Sequence, residues 1–391
     1  MKITVSTTEL KSALGVVAPA IAKRNIIPIL ECILVEAQDG KVKITATDME
    51  NTVIVPVEAV TSQSSDFAIA LPYELLTKVA ASLPAHEPVS LEFDAGFACN
   101  VTQGNTSAYK FNGQDPAEYP KTDIDAVEFS ASIPFGKLRS SYKEAIGFVC
   151  SPTEFRPAMS GVFTTLSANA SEVVATNGHW LYQNEIGVIG CDSPFSFILS
   201  SKAAQLICKQ EFSPDADVQV NMLESGKCLF DFINADGITS STVICQPIDA
   251  QYVHYKSVIP NLAQAHTCIA IENNSALKDM LKRLIVTAEQ AQFDIYVSYN
   301  PEQGCTFSSN STERGTSGIE RVHIEDDPNG NRMPFEASLN GKLFLGCIEV
   351  FADADEFQAY YFGQGKAVLI KDRKDGEVTV LLMPLMTNKN S

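Results

Sequence analysis

The sequence predicts an α+β fold in which one module, built of two helices and antiparallel sheets, occurs three times in tandem. Strand-type and helix-type segments recur in the same order along the chain, and their polar turns recur at near-constant spacing. The strand segments outnumber the helices and alternate apolar with polar residues, which is typical of antiparallel sheets. The predicted modules comprise residues 1–125, 126–263 and 264–391.

Each module opens with a short β-type run that leads into an amphipathic helix. The runs occupy residues 3–5, 129–133 and 268–271. The clearest helix is predicted at 274–289, where apolar residues recur at helical spacing and Asn274 is the predicted N-cap. Its apolar stripe consists of Leu277, Met280, Leu281, Leu284, Ile285 and Ala288.

A polar turn and a second strand-to-helix junction complete the repeated pattern. The turns begin at Asp48, Asn177 and Asn300, which lie 129 and 123 residues apart. The junctions begin at Leu71, Leu199 and Leu339, spaced by 128 and 140 residues, and each leads into a predicted helix. The alternative, three unrelated α+β domains, requires that five signals recur in one order by chance.

The segments that join the predicted modules are short. They comprise residues 121–127 and 261–266. Linkers of this length favour a rigid string of modules over flexibly tethered domains.

The composition is that of a folded protein. The chain has 391 residues, of which 45% are hydrophobic and 19% charged, enough for two or three separate cores. It contains neither a signal peptide nor an apolar run long enough to cross a membrane, so we expect a soluble, cytoplasmic protein. The ten cysteines form no CxxC pair, and we interpret them as small buried hydrophobes in a reducing compartment.

The net charge of −18 argues against nucleic-acid binding only if the charge is spread evenly. The predicted helices hold 13 of the 29 basic residues but only 7 of the 47 acidic ones, a net of +6 against −24 elsewhere. Such an asymmetry predicts a basic surface that attracts a polyanion through its phosphates. The alternative is that helices tolerate Lys and Arg better than Asp, so that these charges are an ordinary solvated face. The helices counted are 8–18, 20–24, 73–83, 134–149, 200–211, 274–289 and 340–351.

No motif for catalysis, nucleotide binding or metal binding is present. The strongest catalytic candidate is His179, but the sequence offers no Ser or Cys nucleophile with an orienting carboxylate beside it. Gly363-Gln364-Gly365-Lys366 lacks the spacing of a phosphate-binding loop. We therefore interpret His179 as a turn or binding residue, and predict neither an enzyme nor a cofactor.

Two patterns are specific, ATNGHxL at 175–181 and D-x-x-Y-x-x-Y-x-x-x-x-P at 249–260. With two further segments they resemble one known family, the bacterial DNA polymerase III beta subunit or sliding clamp, and the resemblance runs along the whole chain. The segments are Ile27-Pro28-Ile29-Leu30 with Asp39-Gly40 and Thr47-Asp48-Met49-Glu50, then 156–161 with 174–181, then 249–260, and Met383-Pro384.

The resemblance implies a head-to-tail homodimer that closes a ring of six modules, with helices inside and sheet outside. Such a ring encircles double-stranded DNA, slides without base-specific contacts and acts as the processivity factor of the replicative DNA polymerase. It also implies that the polymerase subunit, the clamp loader and repair polymerases bind through short peptides. The alternative is a repeat-built peptide-binding scaffold that does not encircle DNA.

The resemblance places the peptide-binding cleft between the second and third modules. Trp180 and Ser257 stand where the family usually has arginines, and the chain continues through 386–391, beyond the family's usual end. We therefore expect a more apolar cleft whose affinity depends little on salt. The implied cleft residues are Met159, Thr176, Gly178, His179, Trp180, Leu181, Val253, Ser257, Val258, Asn340, Leu343, Met383, Pro384 and Leu385.

The resemblance also implies residues for DNA and for the dimer. Tyr109 and Phe111 of the first module would meet Ile285, Val286 and Thr287 of the partner's third module, although these residues could instead belong to each module's own core. The implied DNA-facing residues are Lys23, Arg24, Lys78, Arg139, Lys143, Thr153, Arg156, Lys202, Lys282 and Arg283.

Overall fold

The computed structural model describes residues 1–22, 27–62, 66–94, 96–105, 107–151, 156–187, 189–271, 274–322, 332–352, 354, 356–372 and 377–386. Within these ranges, each predicted module contains two α-helices, as expected. The helices are α1 Thr7–Val17, α2 Tyr73–Ser82, α3 Phe135–Ala145, α4 Ser201–Cys208, α5 Asn274–Thr287 and α6 Gly341–Glu349.

Antiparallel strands make up most of the remaining structure. The strands of the first predicted module are β1 Lys2–Ser6, β2 Cys32–Gln38, β3 Lys41–Thr47, β4 Asn51–Val57, β5 Ala59–Thr61, β6 Phe67–Pro72, β7 Pro88–Phe93, β8 Ala98–Gln103 and β9 Ser107–Asn112. Those of the second are β10 Val127–Pro134, β11 Gly161–Leu166, β12 Ser171–Thr176, β13 Trp180–Gly187, β14 Gly190–Cys191, β15 Phe195–Ser200, β16 Asp217–Leu223, β17 Cys228–Ile233 and β18 Thr239–Cys245. Those of the third are β19 Thr267–Ile271, β20 Asp294–Asn300, β21 Gly304–Ser311, β22 Thr316–Val322, β23 Phe335–Asn340, β24 Phe357–Tyr361, β25 Val368–Asp372 and β26 Val378–Leu382.

The helices form where the apolar periodicity predicts them. In α5, Leu277, Met280, Leu281 and Leu284 are at most 2% exposed, whereas Ile285 is only half-buried. Polar residues at the strand-to-helix junctions cap the following helices. Ser6 Oγ accepts a hydrogen bond from Glu9 N, and Ser200 Oγ accepts one from Ala203 N.

Two helix predictions are wrong in extent. Where helix 20–24 was predicted, a 3₁₀ turn at Ala18–Ala20 ends and Ile21 is already extended, while residues 23 and 24 lie outside the described residues. Pro19 within this turn has no N–H to donate, so an α-helical hydrogen-bond ladder cannot run through it. The predicted helix 134–149 ends at Ala145 and continues as a 3₁₀ turn, Ile146–Phe148, in which Gly147 has low helix propensity.

The chain divides into two compact units. The first comprises Met1–Ser140, Leu166–Asn169 and Val188–Ile248. It contains a five-stranded sheet in the order β5-β1-β7-β8-β9 and a nine-stranded sheet in the order β14-β10-β16-β17-β18-β4-β3-β2-β6. In the larger sheet β18 pairs with β4, so a single sheet continues across the predicted boundary near residue 125.

The second unit comprises Ser141–Thr165, Ala170–Gly187 and Asp249–Ser391. Its larger sheet contains the strands β11-β12-β13-β26-β25-β24-β19 in that order, and its smaller sheet has the order β22-β21-β20-β23. Pairing of β13 with β26 carries the larger sheet across the predicted boundary near residue 263. Backbone hydrogen bonds thus join the predicted modules at both boundaries.

The cysteines lie where small hydrophobes are expected. Eight of the ten are buried, and all ten are free thiols, including Cys228 and Cys245, which are cross-strand neighbours. Burial raises the pKa of the Cys99 thiol to about 12, which keeps it protonated and unreactive. Among the described residues, no helix is long and apolar enough to cross a membrane.

Candidate functional site

A tight turn between β12 and β13 forms the centre of the implied cleft. Asn177 Oδ1 accepts hydrogen bonds from His179 N at 2.9 Å and from Trp180 N at 3.2 Å. Thr176 Oγ1 donates to Trp180 O at 2.6 Å, and Gly178 adopts a positive φ of 88° that favours glycine. The turn therefore buries Thr176 and leaves Gly178 and His179 exposed.

The chain after β26 runs along this turn. Met383 N donates to His179 O at 2.8 Å, and Leu385 N donates to Ser338 O at 2.7 Å. Because β13 pairs with β26, Trp180 lies opposite Leu382 and Leu181 opposite Leu381. The hydrogen bond to His179 O thus places Met383 beside the turn, and Leu385 lies beside β23.

The indole of Trp180 provides an aromatic surface in the implied cleft and packs against Phe148. Its ring centroid lies 4.2 Å from that of Phe148. On the other side, a Cβ atom at Gly346 of α6 would lie 2.7 Å from Trp180 Cζ3. Only a glycine lets α6 approach the indole this closely, so Gly346 is a site residue that the sequence analysis missed.

The buried carboxylate of Glu172 contacts the segment 249–260 and anchors it. Glu172 on β12 accepts hydrogen bonds from Tyr255 Oη at 2.5 Å and from Gln183 Nε2 at 2.7 Å, and Lys256 Nζ lies 2.8 Å from its Oε1. Burial alone would raise the pKa of Glu172, but these three partners outweigh it and hold the pKa below its usual range. The 3₁₀ turn Tyr255–Val258, which carries Ser257 and Val258, is anchored through this carboxylate.

Asn340 has a structural role that the sequence analysis did not assign. Its Oδ1 caps α6 by accepting from Lys342 N and Leu343 N, both at 3.1 Å, and its Nδ2 donates to Gln292 O at 2.7 Å. Both the oxygen and the nitrogen of the Asn340 side-chain amide are therefore engaged with the backbone. Its position immediately before a helix was the available signal.

These residues present an adaptable apolar surface with a polar edge. Val258 is 53% exposed and Met383 37% exposed, while Met159, Trp180, Val253, Leu343, Pro384 and Leu385 are half-buried. Exposed methionine and aliphatic side chains of this kind suit short apolar peptide segments. No described residue donates a hydrogen bond to, or accepts one from, the imidazole of His179, and the described residues contain no cluster of metal-ligating side chains.

Known proteins match the chain from end to end. Residues 1–123 match the family model for the DNA polymerase III beta subunit, N-terminal domain. Beta sliding clamps from Staphylococcus epidermidis and Staphylococcus aureus are each 23% identical over 397 residues, covering 99% of this chain and 100% of theirs. The first third of the chain is thus similar to the DNA polymerase III beta subunit, N-terminal domain, and the whole chain is similar to beta sliding clamps.

Solved structures of such beta subunits have the same fold. The DNA polymerase sliding clamp from Bacillus subtilis has a TM-score of 0.87 at 21% identity, covering 99% of both chains. The DNA polymerase III beta subunit from Pseudomonas aeruginosa has a TM-score of 0.88 at 17% identity, covering 99% of this chain and 100% of its own. The α+β fold that the sequence predicts is thereby confirmed.

One guanidinium lies at the implied cleft although Trp180 and Ser257 replace two arginines. A Cβ atom at Gly178 would lie 3.1 Å from Arg156 Nη1, so Arg156 lies beside the exposed turn. The sequence analysis assigned Arg156 to DNA only. Its contact with Gly178 is tertiary, and no local pattern predicts it.

Most implied DNA-facing cations that the structure describes are paired with acids. Lys78 pairs with Glu74 and Lys282 with Asp279, and Arg283 makes two hydrogen bonds to Glu320 at 2.7 and 3.0 Å. Arg139 and Lys143 on α3 are exposed and form no ion pair with any described residue. Lys23, Arg24 and Thr153 lie outside the described residues.

The first unit contains a turn that corresponds to the turn in the cleft of the second unit, and Lys202 contacts it. There the turn Thr47–Asn51 copies Thr176–Trp180, since Asp48 Oδ1 accepts from Glu50 N and Asn51 N, and Gln246 N donates to Glu50 O at 2.8 Å. Lys202 forms an ion pair with Asp48, whose side chain is only 5% exposed. In the first unit the turn residue that corresponds to Asn177 is therefore engaged in an ion pair.

The implied dimer residues differ in accessibility. Tyr109 on β9 is 41% exposed and Val286 on α5 is 64% exposed, whereas Phe111 is only 8% exposed. Ile319 on β22, which the sequence analysis missed, is 67% exposed. The strands β9 and β22 each end the order of their sheet.

Proposed function

We propose that this chain is a DNA sliding clamp, a non-catalytic processivity factor that encircles duplex DNA and tethers the replicative DNA polymerase. The full-length likeness to beta sliding clamps carries this proposal. Two copies of the chain, with three modules each, would form a ring of six. The basic residues of the helices would face the DNA phosphates, which favours sliding because no base is read.

The ring would close through β9 and β22, the strands that end their sheets. Strand β9 of one protomer would add to β22 of its partner, since a sheet edge presents unpaired backbone groups to another strand. The exposed Tyr109 on β9 and the exposed Ile319 and Val286 supply apolar surface at these edges. The contact is heterologous, and two such contacts close a ring when the rotation between protomers is a half-turn.

The cleft of the second unit is assigned to partner proteins. The replicative polymerase subunit, the clamp loader and repair polymerases would each bind through a short apolar peptide over Trp180, Val258 and Met383. The corresponding turn of the first unit, where Lys202 pairs with Asp48, supports a single such cleft for each protomer.

Retention on circular DNA tests the encircling function. Protein loaded on nicked circular DNA is expected to remain bound at high salt and to dissociate once the DNA is linearised. A surface binder would instead leave both forms as salt rises, because its contacts to phosphates are exchanged for counterions. That outcome would favour the alternative, a peptide-binding scaffold that does not encircle DNA.

A further inference from the structure

A second groove opens next to the cleft on the third module. It has a volume of about 610 Å³ and lies within the second unit, between β20, β23 and the loop before β25. Pro384 and Leu385, which belong to the cleft, also line this groove. We name it the aromatic groove, and its lining includes Tyr296, Tyr299, Phe335, Glu336, Tyr361 and Leu385.

Stacked rings form one side of the aromatic groove. The rings of Phe335 and Tyr361 lie 4.4 Å apart at an interplanar angle of 18°, and Tyr299 lies 5.6 Å from Phe335. Tyr296 adds a ring that is 39% exposed. Aromatic faces of this kind attract the cationic groups of arginine and lysine.

The lining of the aromatic groove contains one carboxylate and one imidazole, those of Glu336 and His266. Glu336 is exposed and is its only acidic residue, and the described lining contains neither lysine nor arginine. Burial and a hydrogen bond to Glu336 together raise the pKa of Tyr296 to about 12, so this phenol remains a neutral donor. The carboxylate of Glu336 keeps further acceptor positions that face no cation in the lining.

We propose that the aromatic groove extends the peptide cleft and takes an arginine side chain from the segment flanking the partner's apolar core peptide. The guanidinium would bind Glu336 and stack on the exposed aromatic surface, an arrangement that suits its planar, forked shape better than a lysine ammonium. This inference rests on the proposed function of the cleft. The aromatic groove would add specificity at the edge of the cleft. Partner peptides would then differ in affinity according to the charge of their flanking residues.

The test separates the core peptide from its flank. A core pentapeptide is first selected from a random library on the full-length chain, and its binding should be lost in Met383→Glu. Arginine or glutamine is then placed at each of the five positions before and after the core, and affinities are measured by fluorescence anisotropy. At one position, the arginine peptide should bind about fivefold more tightly than the glutamine peptide.

Two glutamate-to-glutamine variants, which change the net charge equally, test whether Glu336 binds the arginine of the peptide. Glu336→Gln should abolish the preference for arginine while leaving the glutamine peptide's affinity unchanged. Glu313→Gln, at an exposed turn outside the groove, should retain the preference. Equal binding of the two peptides at every position, or a preference that survives Glu336→Gln, overturns the inference. Core binding that is insensitive to Met383→Glu contradicts the cleft itself, and the inference with it.

Discussion

Trp180 and Gly346 lie so close together that a single added methyl group would collide with the indole, because its carbon would be 2.7 Å from Cζ3. This contact joins β13 to α6 at the centre of the cleft. The glycine is therefore part of the binding surface, although it sits in a helix interior where alanine is usually preferred by about 1 kcal/mol.

Gly346→Ala is expected to destabilise the protein by about 1–3 kcal/mol and to weaken binding of apolar peptides, because Trp180 must move. Gly15→Ala in α1 is the matched control. A Cβ there meets no atom within 4 Å, so helix propensity should make that variant slightly more stable. Calorimetric unfolding compares the two, and stabilisation by both would contradict the packing against Trp180.

Glu172 predicts a dependence of stability on pH. Its pKa is lowered in the folded protein, so its contribution is present above the unfolded value of about 4.3 and is lost as pH falls through the folded pKa. Glu172→Gln should lower the unfolding free energy near pH 7 by about 1–3 kcal/mol, and the difference from wild type should shrink below about pH 4.

Denaturant unfolding between pH 3 and 7 measures this difference. Glu224→Gln, an exposed change at the turn after β16, serves as the control and should leave stability nearly unchanged. Because Glu172 anchors the turn that carries Val258, Glu172→Gln should also weaken peptide binding. A difference that is independent of pH would show that the carboxylate charge contributes nothing.

Arg156 modifies the expectation of a cleft that is insensitive to salt. One exposed guanidinium beside Gly178 should give a shallow dependence, with affinity for a peptide bearing an acidic residue falling by about threefold between 50 and 200 mM salt. Arg156→Gln should remove that dependence. Lys209→Gln removes the same charge elsewhere on the chain and should leave the dependence intact. Equal slopes in all three proteins would exclude Arg156 from the cleft.

Lys202 and Arg139 should behave differently although both were assigned to DNA. Lys202→Gln leaves the buried Asp48 without its cation and is expected to cost about 1–3 kcal/mol of stability. Arg139→Gln should change stability little and lower the salt slope of DNA binding by about one unit, since Arg139 is exposed and, among the described residues, forms no ion pair but only a 5.8 Å cation–π contact with Phe135. Unfolding and salt titrations on duplex DNA measure the two effects. Unchanged stability in Lys202→Gln would restore Lys202 as a lining cation.

Local patterns predicted the helices and the turns. The stripe in α5 follows from helical periodicity, and the equivalent turns at Asp48 and Asn177 follow from their regular spacing. Contacts between distant segments were not predictable in this way. The approach of Gly346 to Trp180 and of Arg156 to Gly178 depends on how strands and helices pack, which no local period encodes. The pairing of Lys202 with Asp48 likewise appears only when the fold places α4 beside the first turn.

The mass of the protein in solution tests the proposed ring most directly, because three modules form only half of it. Light scattering after gel filtration should give a dimer of twice 42.4 kDa. Ile319→Arg on the edge strand β22 should shift the protein toward the monomer without unfolding it, since Ile319 is already 67% exposed. A wild-type protein that remains a 42.4 kDa monomer at every concentration would contradict the ring and the encircling function with it.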